Sequence, residues 1–211
     1  MFIQSAELTA APGRSGDLGP MVAKMRDILS SETGKTWWSW AVLAGRPFGT
    51  HLISTRADGF VDMVATQTKL AGSGAWASMA AGADGVLAHP AETYLAEVIA
   101  AAGDPGDPKR FATVTRATIS GKDLAGSIAW SVAALEHGSK VTGHSGIVST
   151  SAAGNMFQVV WISSCDTAEE LDAGRKQLND DAEYQGMIAK AGADGLFVDG
   201  SVEEAVIVQT T

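Results

Sequence analysis

The alternation of apolar and polar positions changes period several times along the chain, and each change marks an element. Phe2–Thr9 reads as a strand, closed by a loop through Pro12 and Gly13. From Asp17, placed to cap a helix, apolar residues recur at Met21, Val22, Met25, Ile28 and Leu29, the stripe of an amphipathic helix. Residues 37–43 and 50–55 are aromatic or β-branched runs joined by Ala-Gly-Arg-Pro-Phe-Gly, a hairpin signal. Asp58 is positioned to cap a second helix carrying Phe60, Met63, Val64 and Leu70, which Ala71-Gly-Ser-Gly74 breaks or kinks. Residues 91–100 supply a fourth strand.

The same order then repeats. A strand at 111–119 precedes a helix from Asp123, with Leu124, Ile128, Val132 and Leu135 on one stripe. Strands 146–150 and 156–163 form a hairpin across Ser151-Ala-Ala-Gly-Asn155. Thr167-Ala-Glu-Glu170 is a capping box that opens the next helix, and 204–209 is the last strand. The pentapeptide Ala-Gly-Ala-Asp-Gly begins at Ala81 and again at Ala191, 110 residues on. Phe2 and Phe111, Gly45 and Gly154, Phe48 and Phe157, and Ile53-Ser54 and Ile162-Ser163 recur at 109, and Asp17-Leu18 and Asp123-Leu124 at 106. An ordered series at near-constant offset predicts two halves by internal duplication, 1–103 and 111–211, joined by a Gly- and Pro-punctuated linker at 104–110.

Each half reads βαββαβ, the ferredoxin-like unit, whose antiparallel four-stranded sheet carries both helices on one face. The expected fold is therefore α+β, with two tandem units covering each other's bare sheets, face to face, as an intramolecular α/β barrel.

These features resemble the dimeric α/β-barrel superfamily. The run from Leu178 through Asp194-Gly-Leu-Phe197 is similar to the second helix and exit loop of its small monooxygenase-like members, and Trp76 through Leu87 is a weaker counterpart. The resemblance covers nearly the whole chain, as in members with two units per polypeptide. It implies the barrel, and chemistry drawn from cofactor-independent monooxygenases, haem-degrading enzymes, isomerases or ligand-sensing domains. Fold alone does not choose among these.

Composition narrows the classes. A hydrophobic share of 45% with 18% charged residues is globular, not disordered. The single cysteine, Cys165, excludes an intramolecular disulfide and a cysteine zinc site. A net charge of −9 argues against nucleic acid and anionic membranes as partners. The opening residues lack a basic n-region and no apolar run is long enough to span a bilayer, so a soluble cytoplasmic protein is expected. Between Asp166 and Glu204 eleven acidic residues face three basic ones, read as solvated helix faces. Asn179-Asp180-Asp181 with Glu183 lacks the ligand order of a calcium loop.

Candidate chemistry is sparse. Of His51, His89, His137 and His144, only His51 lies in a strand, and no haem attachment motif is present. No cofactor is expected, with haem left open. The strand Trp37-Trp-Ser-Trp40 is the densest aromatic segment. The hairpin sets it beside residues 50–55, so Trp38 and Trp40 are expected to bind a small aromatic molecule in the first half. His51 is the candidate base and Glu7 a candidate polar contributor, with register deciding which face each occupies. Glu7, Arg56 and Arg116 could reach the barrel interior, and Trp161 could join the tryptophans. The glycines of Ala-Gly-Ala-Asp-Gly read as left-handed helix caps. Two functions stand side by side: a cofactor-independent monooxygenase-like or isomerase-like enzyme on a small aromatic molecule, or a non-catalytic ligand-binding or accessory barrel with a protein partner or a second copy.

Overall fold

In the first half the residues Leu18, Val22, Met25, Leu29 and Thr33 recur every three or four positions, and all are buried along one helix. The computed structural model describes every residue except Pro105, which falls in the expected linker, and Thr211. The elements run β1 (Phe2–Thr9), α1 (Ser15–Thr33), β2 (Trp37–Ala44), β3 (Thr50–Ala57), α2 (Phe60–Ala71), α3 (Gly74–Ala81) and β4 (Glu92–Ala102). They continue as β5 (Phe111–Thr118), α4 (Leu124–Thr142), β6 (Ser145–Ala153), β7 (Gln158–Cys165), α5 (Ala168–Asp180), α6 (Ala182–Asp194) and β8 (Glu203–Thr210). Hydrogen bonding links the strands in the order β1-β3-β2-β8-β5-β7-β6-β4, which closes as a barrel. The fold is α+β, a tandem ferredoxin-like barrel.

Side-chain caps place the helix ends, with two corrections to the sequence reading. Asp123 accepts from the Gly126 amide at 2.8 Å, Ser73 from Trp76 at 3.1 Å, and Thr167 with Glu170 forms the full capping box. Asp17 is not a cap. The helix starts at Ser15, leaving Asp17 in the first turn, paired with Arg14 at 2.5 Å and still favourable to the dipole. Asp58 is not a cap either: Gly59 precedes α2, and the Asp58 amide donates to the Asp62 carboxylate at 3.1 Å. The second helix of the second half is split at Asp181, whose carboxylate accepts from Tyr184 at 2.7 Å and so starts α6. Gly195, at φ 62°, ends α6 as the expected left-handed cap, whereas α3 ends at Gly82 and its Gly85 takes φ 69° in the turn beyond.

Thr167→Ala is expected to destabilise the protein by about 1 kcal/mol. Urea unfolding checks this, read as a lower midpoint at unchanged slope.

The chain divides into two compact units, residues 1–96 with those from Val208 on, and Glu97–Ile207. In unit 1, β1 and β2 flank β3 in antiparallel register, with Glu7 opposite Leu52 and Trp40 opposite Leu52. Leu8, Trp37 and Ile53 pack against Leu18, Val22, Met25 and Leu29 of α1 and against Met79 of α3. In unit 2, β5 and β6 flank β7, with Thr113 opposite Ser163 and Thr115 opposite Trp161. Ala117, Val148 and Val159 pack against Leu135 of α4. Among the described residues no helix is long and apolar enough to cross a membrane.

Candidate ligand-binding site

Cross-strand register decides where the sequence-predicted site residues go, because directly opposed residues share a sheet face. Trp38 stands opposite Ser54, and both Trp40 and Glu7 stand opposite Leu52, so these three share one face of unit 1. His51 is one position out of phase, opposite Ala41 and Leu8, on the face that α1 covers. A Cβ built on Gly19 of α1 would lie 3.5 Å from its ring. His51 is therefore not brought together with Trp38, Trp40 and Glu7, and the expected shared cavity is corrected on this point. The tryptophans are buried; Trp40 donates its indole N–H to Ser54 at 3.1 Å, and Arg56 lies over the Trp38 ring at 5.4 Å. Glu7 is buried 3.6 Å from Arg46.

A cavity of about 410 Å³ lies in unit 2, between the sheet of β5, β6 and β7 and the helices α4, α5 and α6. That is within the range that holds drug-sized ligands. Its cause is a subtraction of side-chain volume. Helices α1 and α4 are both 19 residues long and both end at a left-handed glycine, Gly34 and Gly143, which aligns them at an offset of 109. At that offset buried Leu18, Val22 and Met25 correspond to buried Ser127, Ser131 and Ala134, and buried Leu29 to Gly138. The correspondence is 109, not the 106 suggested by Asp17 and Asp123. Four bulky core residues in unit 1 thus correspond to small ones in unit 2, of which Ala134 and Gly138 line the cavity. The two serines stay satisfied: Ser127 donates to Asp123 and Leu196 carbonyls at 2.7 and 3.0 Å, and Ser131 to the Ser127 carbonyl at 2.7 Å.

Aromatic side chains frame the space. Trp130, Trp161 and Phe197 form a mutual edge-to-face cluster, with centroids 6.1, 5.3 and 5.7 Å apart. Both indole N–H groups are already used, Trp130 on the Met187 carbonyl at 3.0 Å and Trp161 on Ser131 at 3.1 Å. They fix the cluster and are not available to a ligand. Trp161 thus belongs to the helix-covered side of unit 2. Thr113, Thr115 and Ser163 line the cavity from the sheet, and Tyr184 from α6. Among the described residues the hydroxyls of these four have no intramolecular hydrogen bond. Burial pushes the Tyr184 phenol pKa up, so it stays protonated and a donor. Its ring stacks on His137, whose Nε2 lies 2.8 Å from the Asp181 carboxylate.

His144 also borders the cavity, and it tests the fit of haem, the cofactor left open. A Cβ on Gly174 of α5 would meet its Cε1 at 2.5 Å and its two ring nitrogens at 3.1 and 3.2 Å. The nitrogen-bearing edge is therefore turned to α5 and not presented as an axial ligand. Asp199 and Glu204 among the lining residues also oppose an anionic porphyrin. The residues do not fit haem. His89 is exposed, its Nδ1 2.9 Å from the Pro90 carbonyl. Cys165 is buried, and burial raises its thiol pKa, so it is no activated nucleophile.

Burial lowers the pKa of His51, offset in part by the Trp40 backbone, and leaves its Nδ1 without a hydrogen-bond partner. Burial likewise lowers that of His144, with the Glu170 charge and backbone and Lys109 as smaller contributions. A histidine with a depressed folded pKa binds fewer protons folded than unfolded, so stability rises with pH across that gap. Stability is accordingly expected to fall as pH drops below about 6.5. The carboxylate losses at Asp62 and Asp181 come later, because their pKa values lie below the usual 3.8. Denaturant midpoints between pH 7.5 and 5 check this, with the slope reduced in His51→Gln/His144→Gln.

The architecture is that of the dimeric α/β-barrel, ferredoxin-like proteins, in its tandem form. No family model matches the chain, and no curated protein matches its sequence. Solved structures share the fold. A candidate monooxygenase from Fusobacterium nucleatum subsp. nucleatum superposes at TM-score 0.74 with 8% identity, covering 100% of this chain and 92% of that one. An anthrone oxidase-like protein gives 0.68 and 15%, covering 100% and 91%. A heme-degrading enzyme from Listeria monocytogenes gives 0.51 and 10%, covering 99% of each. At these identities the likeness is one of fold.

Proposed function

We propose that this protein binds a small, flat aromatic molecule in the unit 2 cavity and oxygenates it without a cofactor. The observation that supports this reading is the cavity itself, opened where α4 carries Ala134 and Gly138 in place of the bulky Met25 and Leu29 of α1. On this reading Trp130, Trp161 and Phe197 hold the ring system. The hydroxyls of Thr113, Thr115, Ser163 and Tyr184 address its oxygen substituents. Cofactor-free oxygenation asks for a substrate acidic at carbon, whose carbanion passes electrons to dioxygen. The protein's part is to exclude water and fix geometry. Trp38, Trp40 and Glu7 then serve packing and ion pairing in unit 1, and His51 is not the base. A cytoplasmic setting and origin by internal duplication belong to the same reading.

Anthrone is a suitable probe, being flat, uncharged and acidic at its methylene. Its oxidation by one dioxygen yields anthraquinone and water. Saturable quenching of tryptophan fluorescence with protein-dependent oxygen uptake is the expected result. Binding without oxygen uptake favours the non-catalytic ligand-binding alternative, and no quenching by anthrone or related phenols contradicts both.

A further inference from the structure

We infer that the unit 2 cavity selects by charge, taking uncharged or ammonium-bearing aromatic molecules and rejecting aromatic carboxylates. This rests on the ligand-binding reading above and adds the class of ligand. The cavity lining contains two carboxylates, Asp199 and Glu204, and neither lysine nor arginine. Both acids are exposed, so they stand where the cavity meets solvent. Cations stand outside that lining, among them Lys109, whose charge acts on His144. Arg175 of α5 is engaged with Glu204 itself, and Lys122 reaches toward Gly195 at the end of α6.

A second observation points the same way. Helices α5 and α6, the loop after them and the start of β8 all contribute lining residues. They belong to the stretch from Asp166 to Glu204, which holds eleven acidic and three basic residues. The charge was readable in sequence as a solvated face, but the fold turns that stretch into one wall and the mouth of the cavity. A carboxylate ligand entering there loses water and meets like charge without a partner, whereas an ammonium group meets Asp199. The aromatic body is held alike in each case, against Trp161 and Phe197. Because Asp199 is exposed, the preference is modest and sensitive to salt.

Three naphthalenes of matched shape, 2-naphthylmethylamine, 2-naphthylmethanol and 2-naphthoate, test the inference by tryptophan quenching at pH 7. At low salt the amine is expected to bind about two- to fivefold more tightly than the alcohol, and 2-naphthoate at least about tenfold more weakly than the alcohol, the cost of carboxylate desolvation being added there. Both gaps should narrow in 0.5 M salt, added as roughly three to four times physiological ionic strength. Asp199→Asn should bring the affinity for the amine close to that for the alcohol. Equal binding of all three, or tightest binding of the carboxylate, overturns charge selection while leaving the aromatic site standing. Binding of none overturns both this inference and the reading it rests on.

Discussion

Refilling the cavity with the residues found at the matched positions of α1, by Ala134→Met with Gly138→Leu, is expected to abolish ligand binding and to stabilise the protein. In α1 those positions are Met25 and Leu29, both buried in the unit 1 core. A Cβ on Gly138 meets only ordinary contacts, Leu178 at 3.8 Å and Tyr184 at 4.0 Å, so there is room for a side chain to enter. Replacing a mid-helix glycine contributes about 1 kcal/mol and burial of the new apolar surface a further ~1–2 kcal/mol. Affinity for anthrone or 2-naphthylmethanol should fall at least about a hundredfold, because the added methylenes occupy the ligand's space in a close-packed interior. Urea unfolding and probe titration on the same double variant check both halves of the expectation. Unchanged affinity together with higher stability would show that the ligand binds elsewhere.

The second large effect is at Trp161. Its ring contacts Trp130 and Phe197 edge to face, and its N–H donates a further bond to the Ser131 carbonyl of α4. Trp161→Ala removes these contacts beside a space that is already empty, so little can collapse to compensate. A loss of about 3–5 kcal/mol is expected. Trp161→Phe keeps much of the ring contact and loses the indole bond to a carbonyl that retains its helical partner, for a cost of about 1 kcal/mol. Denaturant unfolding of the two variants checks the order. Equal, small losses would mean that the aromatic cluster does not hold α4 to the sheet.

Element order was legible because strand and helix periods alternate cleanly and because residues such as Gly45 and Gly154 recur at a fixed offset. Helix starts at Asp17 and Asp58 were misplaced for a local reason: a short acidic side chain near a helix start serves equally as cap or as first-turn charge. The site was harder to see. Conspicuous residues drew attention to Trp38, Trp40 and His51, yet a one-residue difference in phase sends His51 to the opposite face of its sheet. The cavity is made by what is missing, and Ala134 and Gly138 announce nothing until they are set against Met25 and Leu29. That comparison was available in the sequence at an offset of 109. The stripe expected on α4, with Leu124 and Val132, hid it, since Leu124 is exposed and the buried line runs through the serines.

A crystal structure of the protein soaked with anthrone tests the central claim most directly. The account predicts density for the tricyclic ring in the unit 2 cavity, against Trp161 and Phe197, with its oxygen within hydrogen-bond distance of Tyr184 or of the hydroxyls of Thr113, Thr115 and Ser163. Density beside Trp38 and Trp40 of unit 1, with the unit 2 cavity empty at saturating anthrone, would contradict it.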